Sequence, residues 1–406
     1  MSSSTRRDPP TGSRSAPGRL TRAWLVDHAP WLLPVIAFAF VSHQLWTQTY
    51  FQRLDFHIYF EAVSSWSRSG SIYDYAEVHT HLGFTYPPFA AVVLWPLTHL
   101  DVRVAEHLWM IASLLASTAF LVIAGRALPS PPRWRWFVPA FVAAGLLSTP
   151  VVLTTRLGQI NSFLALLVLV DCLSARRGRR LTGVGVGLAA AVKLTPMVGI
   201  LYFAVARRSR AIVTTIVTFV GATLLAWVLH PSDSSSYWTD VLFDTSRVGG
   251  LDSGYSNSLR RALTWLPVAN GIQSILWVAL CLAIIGVAVW RARLAYDRGN
   301  DLGAITVIMC AGLLCSPITW GHHLYFLVLA LPLVIGDGRS VVRWLGAAVS
   351  LPLLFELQYQ GQNAIPSGLR VLLLLLVVVA LPLDRHQSDS ATTAEAPAPP
   401  LVPSPT

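Results

Sequence analysis

Asp55, in the stretch RLDFHIYF at residues 53–60, is a single carboxylate among aliphatic and aromatic neighbours. Such surroundings strip water from an acid, raise its basicity and suit it to take a proton from a hydroxyl. A helix cap or a headgroup contact is the plainer use of an acid there. His57 and Tyr59 share its face if the segment is extended, and either could orient a substrate hydroxyl. Lys193 is the only lysine among 30 basic residues and sits in GLAAAVKLTPMVGI. A charge deep in an apolar run is costly unless it is paired or faces a wet cavity. Pro196 breaks the helix three residues later, and backbone freed in this way is tolerated where it lines a cavity. An ammonium point charge suits a phosphate, whereas the plainer reading is a lysine snorkelling to one surface.

Three further groups could act with them. In RLGQIN (156–161), Arg156 can clamp a phosphate while Gln159 and Asn161 hydrogen-bond hydroxyls, although amides at such a place also serve broken-helix backbone. His322 and His323 follow SPITWG. Adjacent residues on a helix point apart and no carboxylate stands at ligand spacing, so a phosphate or hydroxyl contact is favoured over metal. Tyr86, in TYPP (85–88), is an interfacial tyrosine beside two prolines that shape a loop and could contact sugar.

These residues must be held by helices. The chain is 406 residues long, 54% hydrophobic and 12% charged, with a mean hydropathy of +0.55. Nearly charge-free windows of about 20 apolar residues predict bilayer-spanning helices. Unbroken runs such as VLLLLLVVVALPL exclude the alternation of a β-barrel. The fold class is therefore an all-α polytopic membrane protein. The net charge of +10 does not point to nucleic acid, because the arginines fall in short clusters (SARRGRR, ARRSR, WRARLAYDRG) between apolar runs. That is the pattern of cytoplasmic loops. The four cysteines lie in apolar runs, which disfavours a disulfide framework or a zinc site.

With the basic clusters inside, the chain threads about twelve spans between 24 and 383. The expected organisation is a single transmembrane domain over 24–383, with long outer loops near 47–85 and 231–270. Both termini, 1–23 and 384–406, are expected to be disordered and cytoplasmic. The N-terminal apolar segment is too long for a cleavable signal. The YPPFAAVVLWPL segment is short and is expected to dip in and return. On this thread the unusual polar residues gather on the extracytoplasmic side of a cell membrane, including NSLRR (257–261), QYQGQN (358–363) and the aromatic and acidic residues of 231–270.

No Gly-rich phosphate loop, GxSxG or nucleotide-binding pattern is present. The activated substrate is thus expected to be a lipid phosphate arriving from the bilayer. SIYDY (71–75), FTYPPFAAVVLWPL (84–97), GQIN, AAAVKLTPM and SPITWGHHLYF, in this order after an outer-loop aspartate, resemble the actinobacterial polyprenol-phosphate-mannose-dependent α-(1→2)-mannosyltransferases. These are glycosyltransferase family 87, with the GT-C membrane fold. The resemblance runs from about 50 to 330, and NSLRR departs from the NQSL the pattern leads one to expect. It implies an inverting enzyme that takes mannose from polyprenyl-phosphate-mannose outside the cell and gives it to a glycolipid, a phosphatidylinositol mannoside being favoured over the lipomannan or lipoarabinomannan backbone. Carried onto this chain, Asp55 is the general base, while Lys193, His322 and Arg156 hold the departing phosphate. His57, Tyr59, Tyr86, Gln159, Asn161 and His323 are then left for acceptor and sugar. No metal or other cofactor is required, because the phosphate is already a good leaving group. The competing readings are a GT-C arabinosyltransferase using a lipid-phosphate pentose and a transporter. The transporter is disfavoured because the two halves of the chain do not match in hydropathy.

Overall fold

A backbone amide in hydrocarbon has no water to bond, so apolar runs of this chain can settle only as helices whose hydrogen bonds are internal. A computed structural model describes residues 28–47, 53–67, 70–250, 253–355 and 364–385. They are mostly helical, and among them only Ala76 and Gly83 make an isolated antiparallel bridge. The expectations for 1–23, for QYQGQN and for most of the C-terminal tail fall outside the described residues.

In chain order the helices are α1 (Leu32–Trp46), α2 (Leu54–Ser67), α3 (Pro88–Leu94), α4 (Val102–Arg126), α5 (Phe137–Leu147), α6 (Thr149–Leu157), α7 (Asn161–Ala175), α8 (Val184–Val192), α9 (Ile200–Val205) and α10 (Ser209–Leu229). There follow α11 (Pro231–Ser236), α12 (Leu259–Leu263), α13 (Asn270–Asp297), α14 (Asp301–Cys315), α15 (Ala330–Ile335), α16 (Val341–Leu354) and α17 (Ala364–Ala380). Shorter 3₁₀ turns sit at Trp95–His99, Thr195–Gly199 and Gly321–Leu329.

Among the described residues, four helices are long and apolar enough to cross a bilayer alone: Ala29–Trp46, Val102–Arg126, Ser209–Leu229 and Asn270–Asp297. The α5–α6 pair, bent by 47°, is a fifth candidate. The other apolar runs are cut short by punctuation in the sequence. Ser148 and Pro150 separate α5 from α6, Lys193 and Pro196 end α8, and Ser316–Pro317 ends α14. A 15-residue helix such as α7 is only about 22 Å long, against about 30 Å of hydrocarbon.

Hydropathy alone reads 47–85 as loop, yet it contains the 14-residue helix α2. The YPP segment forms α3 and a 3₁₀ turn, twelve residues in all, which is too short to cross. Inside the bundle α4 packs on α5 and α7, α7 on α8, α8 on α10, and α13 along α14. Small residues make the closest of these contacts. Gly183 takes a positive φ of 105°, and a Cβ there would meet the Ala211 carbonyl oxygen at 2.3 Å, so only glycine lets α8 start against α10.

A candidate active site at the breaks of three helices

Asp55 is the second residue of α2, and its position is set from below by Gly158. Gly158 caps α6 in the left-handed region (φ 72°), and a Cβ on it would lie 2.4 Å from Phe56 Cβ. Its carbonyl accepts from Trp109 Nε1 at 2.8 Å. The turn therefore brings Gln159 directly against the start of α2, and the Gln159 amide hydrogen-bonds the Asp55 carboxylate. The other end of that amide, Gln159 Oε1, accepts from Tyr59 Oη and Tyr86 Oη, each at 2.9 Å. The two tyrosine hydroxyls are themselves 2.8 Å apart. Burial between Leu54, Ile58, Leu153 and Leu157 pushes the Asp55 pKa up to about 6; the Gln159 hydrogen bond and the Lys193 charge work against that rise.

Lys193 leaves α8 in extended backbone (φ −151°, ψ 126°). Its Nζ donates to Asn161 Oδ1 at 3.0 Å and to Tyr86 Oη at 3.3 Å, and lies 3.2 Å from His323 Nε2. It also stands 5.0 Å from the centre of the Tyr86 ring, within cation–π range. The costly charge is thus met by an amide oxygen, a phenol and an aromatic face. Asn161 Nδ2 in turn donates to the His322 carbonyl at 3.0 Å, and Thr154 Oγ1 donates to the same carbonyl at 3.2 Å. His323 Nδ1 accepts from the Trp320 backbone N–H at 3.2 Å.

Asp55, Tyr59, Tyr86, Gln159, Lys193, His322 and His323 line one cleft of about 270 Å³. A second, mostly apolar cavity, walled by Leu164, Val168, Met309 and Phe326, shares Lys193 and His323 with it. This second cavity is small, about 60 Å³, so it could admit only the first part of an apolar tail whose polar head lies beside the ammonium. Among the described residues no three His, Cys, Asp or Glu side chains gather as metal ligands.

Two expected residues lie elsewhere. His57 is not in the cleft, because the segment is helical and not extended. In a helix Tyr59 follows Asp55 by one turn, whereas His57 points to the opposite side. There it meets Glu106 of α4 (Nε2–Oε2 3.6 Å), which is also ion-paired with Arg53. Burial and the Arg53 charge lower the His57 pKa to about 4. Arg156 also misses the cleft, since Leu153 and Leu157 take the inward stripe of α6 and Arg156 falls beside it. The guanidinium that does line the cleft is Arg247, brought there from the 231–270 loop. Arg247 donates to the Tyr73 carbonyl at 2.6 Å, and Tyr73 Oη donates to the Tyr86 carbonyl at 2.8 Å. Tyr73 also stacks on Tyr237, so SIYDY ties its own segment to the 231–270 segment. Only the aromatic and acidic composition of that loop hinted at Arg247.

The NSLRR departure has a structural role. Asn257 donates to the Thr319 carbonyl through its backbone N–H (2.6 Å) and Nδ2 (3.0 Å), and Ser258 Oγ donates to the Pro317 carbonyl at 2.8 Å. Asn257, Ser258 and Thr319 are fully buried, so this staple fixes the SPIT turn that presents Trp320, His322 and His323.

The chain matches the model of glycosyltransferase family 87 over residues 84–317. That span holds Tyr86, Gln159, Asn161, Lys193 and Arg247, while Asp55 and both histidines lie outside it. Among curated proteins the chain is 34% identical over 342 residues to a polyprenol-phosphate-mannose-dependent α-(1-2)-phosphatidylinositol mannoside mannosyltransferase of Mycobacterium tuberculosis, covering 80% of this chain and 78% of the relative. The protein of the same description from Mycolicibacterium smegmatis is 32% identical over 79% of this chain and 76% of its own length. A phosphatidylinositol pentamannoside mannosyltransferase of the latter organism is 30% identical, over 73% and 74%.

Proposed function

The chain belongs to glycosyltransferase family 87, and from that premise we propose that it transfers mannose, with inversion, from polyprenyl-phosphate-mannose to a phosphatidylinositol mannoside, forming an α-(1→2) linkage. The observation that carries this reading is the placing of Lys193 where the polar cleft of Asp55 meets the apolar cavity. A polyprenyl phosphate needs a cation at the junction of a polar and an apolar compartment, and the sugar it carries then lies toward Asp55.

In the step, the acceptor hydroxyl oxygen attacks the anomeric carbon from the face opposite the phosphate. The bond between that carbon and the phosphate oxygen breaks, its electron pair stays on the phosphate, and the hydroxyl proton passes to the Asp55 carboxylate. Lys193 and Arg247, with His322 in the same wall, meet the charge that develops on the leaving oxygen. Tyr59, Tyr86 and Gln159 orient hydroxyls and keep the base in place. A phosphate leaves without a proton donor, and the reading assigns no role to a metal.

The proposed setting is the cell membrane, with about twelve crossings in a GT-C arrangement completed by the broken helices, and the cleft on the extracytoplasmic side. In support, the basic turn 176–180 lies at the end of α7 away from Asn161, as the positive-inside rule requires of an outward-facing site.

The test uses membranes carrying wild type or Asp55→Asn at equal abundance, with radiolabelled polyprenyl-phosphate-mannose and a phosphatidylinositol mannoside. Transfer by wild type alone supports the donor, acceptor and base together. Transfer by both makes Asp55 a scaffold residue. Transfer only to a lipomannan acceptor, or only from a lipid-phosphate pentose, moves the substrate assignment to that class.

A further inference from the structure

We propose that the groove between α4 and α7, at the end of the bundle away from the cleft, binds an anionic phospholipid of the adjacent leaflet. The groove has a volume of about 640 Å³. Its floor is apolar, from Ala119 and Ile123 of α4 and Leu166 and Val170 of α7, and its rim carries Arg179 and Arg180. Leu167 and Val170, both in its lining, are 39% and 41% exposed. They face the surroundings in a bundle whose outer surface is lipid, so acyl chains are the occupant this floor can accept.

The two arginines are what select an anion. Arg176, in the same turn, is neutralised by two hydrogen bonds to Asp301, at 2.6 and 2.9 Å. Among the described residues no carboxylate pairs with Arg179 or Arg180. Asp171 also lines the groove, but its oxygens are occupied by the backbone N–H groups of Gly183 and Val186, both at 2.8 Å. The turn is braced as well, by a 2.8 Å hydrogen bond between Ser174 and Thr182 and by Arg208 donating to the Arg176 carbonyl at 3.1 Å. A braced pair of cations over an apolar groove matches a headgroup phosphate above two acyl chains, with electrostatics and apolar contact acting together. The turn also joins α7 to α8, whose far ends carry Asn161 and Lys193. A lipid here would hold the inner end of the hairpin that positions the catalytic cation.

The proposal takes from the functional reading only the name of the leaflet. Its test is independent of sugar transfer, and nanodiscs present both faces. The full-length protein is placed in phosphatidylcholine nanodiscs containing a trace of phosphatidylglycerol with a diazirine in its acyl chain, or the corresponding phosphatidylcholine probe. After irradiation the labelled peptides are mapped. The phosphatidylglycerol probe is expected to label 119–123 and 166–170 preferentially. Arg179→Gln/Arg180→Gln is expected to reduce that preference roughly tenfold or more, the scale for two basic contacts with an anionic surface. Arg133→Gln/Arg135→Gln, in another basic cluster, is expected to leave it unchanged. Equal labelling by both probes, or labelling that survives the Arg179/Arg180 change, overturns the proposal. If the double variant does not fold, unlabelled lipid competing on wild type decides instead. Suppression by phosphatidylglycerol and not by phosphatidylcholine supports the site, and equal suppression removes it.

Discussion

Lys193 Nζ donates to Asn161 Oδ1 at 3.0 Å, joining the residue that follows α8 to the first residue of α7. Those helices form a hairpin, so the cation is fixed by the far end of the element that delivers it. Lys193→Met keeps the length of the side chain and removes the charge. We expect the single-turnover rate of mannose transfer to fall roughly a hundredfold to a thousandfold, the scale for losing one preorganised group that meets developing charge. A variant transferring at the wild-type rate would show that the phosphate is held elsewhere.

The pH dependence follows from Asp55. The base must be unprotonated to accept the hydroxyl proton, and burial has raised its pKa to about 6. Transfer is therefore expected to fall as the pH drops through that value, tenfold per unit once well below it. The check is kcat/KM against pH for wild type in detergent or nanodiscs. A limb centred near the ordinary carboxylate pKa would mean that Asp55 is wetter than its surroundings indicate, or that it is not the base.

Arg53 and Glu106 form a buried ion pair that fixes the start of α2, and each side chain is 7% exposed. Removing one partner leaves a charge without its counterion. Glu106→Ala is expected to cost about 3–5 kcal/mol, and the paired change Arg53→Met/Glu106→Leu is expected to recover most of it. Denaturation in detergent gives both numbers. Equal losses in the single and double variants would place the stabilisation in packing and not in charge.

Chelation tests the proposed independence from metal. Transfer by purified protein is expected to be the same before and after dialysis against EDTA. A loss restored by one divalent ion would require a metal in the step and a different account of how the leaving phosphate is stabilised.

Several of these relationships can be read from the sequence, because they depend on local composition. Asp55 in its apolar setting and the only lysine beside Pro196 stand out as anomalies in hydropathy, and the family motifs mark the turns around them. Helix α2 is less legible. Its 14 residues carry enough polar side chains to resemble loop, and only its helical phase decides that Tyr59 joins Asp55 while His57 turns to Glu106.

The sequence by itself determined that this is a helical membrane glycosyltransferase with its unusual polar residues near helix breaks. Long apolar runs have one stable form in a bilayer, and proline and glycine interrupt them at fixed positions. The tertiary structure decided which side chains share the cleft. Arg247 enters and Arg156 does not, because Tyr73 holds one in a neighbouring loop while Leu153 and Leu157 take the inward stripe beside the other. That choice depends on contacts between segments far apart in the chain, where the packing of one helix fixes the facing of the next.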